Sequence, residues 1–232
     1  MKKLQLILIL FVFSTVKIKA QNNISGILEV NYNSFSQNNL KDFQNQLKNE
    51  ITEVNLSVND EFGSNIGYTV GVQVESLKAQ FFLSYNTTGG KISYSDFSGS
   101  IRLTQLLEAY SLGSEYQLRL SDENRNDTFY LGLRGIINFS SMELESYSNI
   151  LGNESGQVVK FNSVDFGLGA RLTYDIPIYV FKLRLNIGYD LMFGGQLRFS
   201  ENSDFYLEND RGEEVKTNWS GFRSGIGLVI PF

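Results

Sequence analysis

The sequence predicts an all-β chain, an eight-stranded antiparallel up-and-down transmembrane β-barrel with short periplasmic turns and long extracellular loops. Three observations predict it. After residue 23, apolar and polar residues alternate at period two over most of the chain, the pattern of strands with two unlike faces. The connections between these stretches are by turns short and long. Glycines and charges of both signs collect on the polar face of the same stretches.

The first element is a leader, not a strand. Lys2 and Lys3 precede an apolar run over residues 4–16, followed by Lys17, Ile18, Lys19, Ala20 and Gln21. Such a run falls short of the roughly 17–25 residues with which a helix crosses a bilayer. Residues 1–20 therefore read as a signal peptide cleaved after Ala20, and residues 21–232 as one outer-membrane barrel domain. Cleavage would remove four lysines and make a chain of net charge −5 more acidic still.

The strands follow in order. A weak first strand sets Leu28, Val30 and Tyr32 against Glu29, Asn31 and Asn33. A second sets Ile66, Tyr68, Val70, Val72 and Val74 against Gly67, Thr69, Gly71, Gln73 and Glu75. A third sets Ala79, Phe81, Leu83 and Tyr85 against Gln80, Phe82 and Ser84. In the fourth, Tyr110, Leu112, Tyr116, Leu118 and Leu120 oppose Ser111, Gly113, Glu115, Gln117 and Arg119. In the fifth, Phe129, Leu131, Leu133, Ile137 and Phe139 oppose Gly132, Arg134 and Asn138. In the sixth, Val164, Phe166, Leu168, Ala170, Leu172 and Tyr174 oppose Asp165, Gly167, Gly169 and Arg171. The seventh carries apolar residues at every odd position from Tyr179 to Phe193, against Lys182, Arg184, Asn186, Gly188 and Asp190. The eighth sets Phe222, Ile226, Leu228, Ile230 and Phe232 against Arg223, Gly225 and Gly227.

Connections at 75–78, 121–127 and 175–177 are short, and those at 36–65, 86–99, 140–156 and 200–218 are long and polar. Tight turns at one end and long loops at the other are the habit of outer-membrane barrels. An even strand count puts both chain ends on the short-turn side and lets the last strand close on the first, leaving no open edge. In the first long connection Leu40, Phe43 and Leu47 fall at i, i+3 and i+7 after Asn39, a suitable N-cap. They predict a short amphipathic helix over 39–50, packed as a lid or, in the sharper alternative, binding a partner. Ile101, Leu103 and Leu107 run out of phase with Tyr110 and Leu112, which predicts either a bulge or sheet above the membrane. Tyr174, Tyr179 and Phe232 at the short-turn end, and Tyr85, Tyr94 and Trp219 near the long loops, are expected to form two interfacial belts.

A water-soluble barrel would turn the apolar face inward, and the polar face argues otherwise. Its glycines weaken a solvated strand, but they relieve crowding in the narrow interior of eight strands. Its charges nearly cancel: Glu29, Glu75, Glu115, Asp165 and Asp190 stand against Arg119, Arg134, Arg171, Lys182, Arg184 and Arg223. A solvated face needs no such balance, whereas an unpaired buried charge costs several kcal/mol, roughly. These eleven residues are the expected lumen ion-pair network.

Other chemistry is scarce. Without Cys or His there is no thiolate site and no histidine base or ligand. The acidic balance excludes nucleic acid as a partner. Gly89, Gly90, Lys91 and Ile92 superficially suggest a phosphate loop but lack its spacing, and are expected in a hairpin loop. Gly167-Leu168-Gly169 sits inside a strand and opens no helix. Asp204, Glu208, Asp210, Glu213 and Glu214 predict a solvated acidic loop, with Ca²⁺ ligation the weaker alternative. No cofactor, metal or catalytic group is expected.

Taken together, the leader ending Lys19-Ala20-Gln21, the strand architecture and the terminal run from Ser224 to Phe232 resemble the small outer-membrane β-barrel proteins of the PorT-like and OmpA/OmpX-like kind. The resemblance spans essentially all of residues 21–232. It implies a Gram-negative outer membrane, contact with its lipid, and Ile226, Leu228, Ile230 and Phe232 as the signal read by the barrel-assembly machinery. Pro231 departs mildly from that signal. The PorT-like side implies a secretion apparatus as partner. The function expected is an integral outer-membrane barrel with a charge-plugged lumen, structural or partner-binding through its long loops. Two other readings stay open: a small-solute porin or transporter-like conduit, and a lipid-modifying enzyme that works without His. Resembling enzyme families use a His, so no enzyme is expected.

Overall fold

Wherever the alternation runs unbroken, the backbone is strand. The computed structural model describes residues 24–52, 54–122 and 127–232, so the leader lies outside the described residues. Its elements are β1 (Ile24–Phe35), α1 (Asn38–Glu50), β2 (Ser57–Glu61), β3 (Asn65–Val74), β4 (Ala79–Asp96), β5 (Gly99–Arg119), β6 (Thr128–Ile150), β7 (Asn153–Ile178), β8 (Phe181–Gly194), β9 (Arg198–Phe199) and β10 (Gly221–Pro231).

Eight strands, β1, β3, β4, β5, β6, β7, β8 and β10, pair antiparallel in a closed ring, with β1 joined to β10 from Ser25–Pro231 to Phe35–Gly221. β2 and β9 lie outside the ring, extending it beside β4 and β7. Pairing partners traced once around the ring from Asp165 return to β7 at Asp175, a stagger of ten residues. Closure with such a stagger tilts strands by about 35–45° and leaves an interior just wide enough for side chains. Both described chain ends lie together, where the Phe232 N–H donates to the Ile24 carbonyl at 3.0 Å.

Several connections differ from the sequence reading. Segments 86–99 and 140–156 are not loops: β4 and β5 pair without a slip up to Asp96–Gly99, and β6 and β7 up to Ile150–Asn153. Polarity suggested loops there, but cross-strand pairing satisfies a polar strand backbone as well as an apolar one. Gly89, Gly90 and Lys91 accordingly sit within β4 and not in a hairpin loop. Of the two readings for Ile101, Leu103 and Leu107, the steady β4–β5 register shows continued sheet and no bulge; these side chains turn inward while Leu106 and Tyr110 turn outward. Residues 175–177 belong to β7, and the turn falls at Tyr179 (φ 54°) and Val180, so Tyr179 precedes β8.

α1 forms where expected, in a segment free of β-branched residues. Leu40 and Phe43 are buried and Leu47 packs at the edge of the same cluster. Asn39 is not its cap: the helix starts at Asn38, preceded by Gln37, and Asn39 Oδ1 accepts the Lys216 N–H at 2.7 Å. Trp219 belongs to no surface belt. It is buried, its Nε1–H donates to Ser140 Oγ at 2.8 Å, and its ring meets Phe35 edge-on at 5.0 Å.

Candidate functional site, a lumen closed at two levels

The ring has an inverted interior along much of its height. Leu168 is 66% exposed and Phe166 59% on the outside, whereas Arg184 and Asp190 are fully buried within. Toward the short-turn end four acids and four arginines form one unbroken alternating chain. Asp175 holds Arg184 at 2.7 Å; Arg184 approaches Glu29 at 3.8 Å; Glu29 holds Arg171 at 3.0 Å. Arg171 reaches Glu115 at 2.8 Å, Glu115 faces Arg134 at 3.6 Å, and Arg134 holds Asp190, which closes on Arg223. Charges sum to zero along it, as a low-dielectric interior requires. Amides fill the remaining valences: Gln80 Oε1 accepts from both Arg171 and Arg184, and Gln73 Oε1 accepts from Arg184 at 2.7 Å.

Seven residues of the expected network thus come together, and four do not. Glu75 and Lys182 face each other at 3.7 Å at the short-turn mouth, both partly exposed. Arg119, also at the mouth, donates to Ser121 Oγ and the Asp122 carbonyl. Asp165 stands higher, outside the chain of charges, accepting from Thr217 Oγ1 at 3.1 Å. Its place is taken by Asp175, which the sequence reading left in a turn. Asp175 shares odd-numbered parity with Arg171, and extending the β7 alternation by four residues would have found it.

Glycine makes room for these side chains. A Cβ on Gly132 would lie 2.5 Å from Glu115 Cδ, and one on Gly188 would lie 3.1 Å from Arg171 Cβ. Above the charges come aromatic lids, with the Arg134 guanidinium 4.5 Å from the Phe82 ring centre and that of Arg223 4.8 Å from Phe35. Such placements favour a cation over an aromatic face.

The upper level is apolar. Leu107, Ala109, Ile136, Met142, Phe161, Met192, Leu197, Val215 and Trp219 form one cluster, over which α1 sets Leu40 and Phe43. The last connection fastens α1 down: besides the Asn39 bond, the Asp210 N–H donates to Gln46 Oε1 at 3.3 Å. The sequence predicts α1 as a lid and a lumen plugged by charge, but not the apolar layer between them. Its signal was the out-of-phase leucines.

The acidic stretch of that connection is engaged locally, Glu213 with Arg211 at 3.5 Å and Glu214 with Lys216 at 3.5 Å. Among the described residues no three acidic side chains gather as a metal would need. Ile226, Leu228 and Ile230 line the outer face of β10, and the Phe232 ring lies over Gly26 of β1. A 670 Å³ cavity opens at the short-turn mouth, lined by Gln73, Glu75, Lys78, Gln117, Arg119 and Lys182 among others.

No protein-family model matches the chain, and no curated protein matches it. Among solved structures, the crystal structure of Neisserial surface protein A is similar in fold, at 13% identity over 90% of this chain and 97% of that one, with a TM-score of 0.39.

Proposed function

We propose that this chain is an integral outer-membrane β-barrel protein, closed to solutes, whose projecting hairpins are a partner-binding platform. One observation carries the membrane reading: polarity inverts along continuous strands. In β5, residues 110–119 turn Tyr110, Leu112, Tyr116 and Leu118 outward and bury Glu115 and Gln117. Residues 101–108 of the same strand bury Leu107 and turn Arg102 and Glu108 outward. β6 inverts at the same height, where Ile137 and Phe139 give way outside to Glu143 while Met142 is buried. Water outside accounts for the upper half and hydrocarbon outside for the lower half. The lower stretch of ten residues matches the 9–11 or so that a tilted strand needs to span a bilayer. A belt of this area in water would be an aggregation surface.

Two closures in series argue for a barrel that does not conduct, which sets aside the conduit reading. The hairpins β4–β5 and β6–β7 rise well above the belt and end in exposed Phe97, Ile150 and Leu151, a surface suited to a protein partner. A secretion-associated partner, as the PorT-like resemblance implies, would dock there.

The test is gel mobility in detergent with and without heating, together with planar-bilayer recording. A folded band that shifts on boiling and the absence of stable channels are expected. A mature chain that stays monodisperse in buffer without detergent would refute the membrane reading, and steady conductance would refute the closed lumen.

A further inference from the structure

We propose that the cavity at the short-turn mouth binds an acidic peptide segment, entering from the end where the chain termini lie. The proposal takes its compartment, the periplasmic side, from the membrane reading, but its chemistry stands on the cavity itself. In a chain of net charge −5, this 670 Å³ cavity is lined by Lys78 and Lys182, by Arg119, which is engaged by the turn that follows it, and by one carboxylate, Glu75. Lys78 lies in the turn before β4 and Lys182 near the start of β8, so their meeting is a product of the closed ring and not of a local run. A cavity whose charges lean to one sign concentrates ligands of the other sign, the more so once its own counter-charge is displaced.

Glu75 marks where an incoming carboxylate would sit. It meets Lys182 only at 3.7 Å and is 43% exposed, so it holds the ammonium loosely and can be displaced. The other lining groups favour a peptide over a bare anion. Ser121, Thr128 and Tyr130 offer hydroxyls that both donate and accept, as a peptide backbone's N–H and C=O groups require, with the Gln73 and Gln117 amides beside them. The floor is preformed. Gln73 is held by Arg184, and Gln117 donates to Glu115 at 3.1 Å and to Gln80 at 3.2 Å, so binding there would order little that is not already ordered. Lys78, in left-handed backbone (φ 51°), is fixed at the rim by its carbonyl accepting from the Gln117 N–H at 2.7 Å.

The experiment titrates detergent-solubilised protein, already shown to be heat-modifiable, with a labelled hexaglutamate peptide, its hexaglutamine counterpart and inorganic phosphate. Hexaglutamate should bind at least about tenfold more tightly than hexaglutamine, weaken as salt is raised, and resist displacement by equimolar phosphate. Lys78→Gln with Lys182→Gln should lose about tenfold or more, Glu75→Gln should gain affinity, and Lys160→Gln, on the projecting hairpins, should change nothing. Absence of binding, equal binding of the glutamine peptide, an unaffected double variant, or displacement by phosphate would each overturn the proposal. Because mobility and fractionation are read first, failure of the membrane reading is seen separately from failure here.

Discussion

The lower and upper halves of β5 and β6 share one backbone ladder and obey opposite rules. Below Glu108 the ring keeps its charges inside and its apolar residues outside; above it, Leu107, Met142 and Phe161 pack inward as in a water-soluble core. The ladder is indifferent to the change, since pairing satisfies the backbone on either side of it. What differs is how each half is specified. The apolar half tolerates a range of side chains of suitable size, whereas the charged half works only with each carboxylate matched to its arginine. The same contrast makes the lower half costlier to damage.

The largest effect should follow from removing one link of the charged chain. Arg171 joins Glu29 at 3.0 Å to Glu115 at 2.8 Å, so Arg171→Leu leaves two buried carboxylates with only their longer contacts, to Arg184 at 3.8 Å and Arg134 at 3.6 Å. A loss of about 3–5 kcal/mol is expected in urea unfolding from lipid vesicles. Adding Glu115→Leu should recover part of it, because the pair is coupled. If the single variant unfolds like the parent protein, the lower half is not the specified element described here. In the upper half, Leu107→Ala should cost about 2–4 kcal/mol through the cavity it leaves, with no partner able to rescue it by charge. Neither variant alone should conduct, because the other closure remains.

How much of this was legible follows from the same contrast. The period-two alternation carries the ring because every lower strand has two unlike faces, so Glu29, Arg134, Arg171 and Arg223 could be assigned to the interior by parity alone. Asp175 was lost because Pro177 invited an early turn, although β7 continues to Ile178. Asp165 was placed in the network by parity, which gives the face of a sheet but not the height along it. Segments 86–99 and 140–156 of the upper half look like loops in the sequence since their outward residues are polar, and only the out-of-phase run Ile101, Leu103 and Leu107 betrays the sheet there. Long-range features, such as α1 covering Met142 and Trp219 or the last connection reaching Asn39, leave no periodic trace at all.

Glycine distinguishes inside from outside on a smaller scale. A Cβ on Gly169 would press into the Asp190 carboxylate, which holds both Arg134 and Arg223, whereas one on outward Gly135 meets nothing within 4 Å. Gly169→Ala should therefore destabilise by about 1–3 kcal/mol. Gly135→Ala should be neutral or slightly stabilising, since alanine restricts the unfolded chain without crowding the folded one. Equal effects in the same unfolding assay would mean that the lumen is roomier than its side chains indicate.

The smallest effect lies at the tip of the upper half, where charge is handled in water. Asp96 ends β4 and accepts from the Ser98 hydroxyl at 2.7 Å, the Ser98 N–H at 2.8 Å, the Gly99 N–H at 3.1 Å and the Tyr94 hydroxyl at 2.7 Å. These donors, led by the Ser98 hydroxyl, hold its pKa at about 2, below the ordinary 3.8. A depressed carboxylate contributes order that is complete above its unfolded value and is lost as pH falls through the folded one. The turn at residues 96–99 should thus loosen between about pH 4 and pH 2, while the paired strands beneath it hold. Amide exchange at Ser98 and Gly99 reads this directly. Asp96→Asn should show lower protection at neutral pH, relative to the intrinsic exchange rate, and no further loss of protection on acidification, because the asparagine cannot titrate. If the wild-type tip kept its protection down to pH 2, the carboxylate would not be organising the turn, and the order of the hairpin would rest on its strands alone.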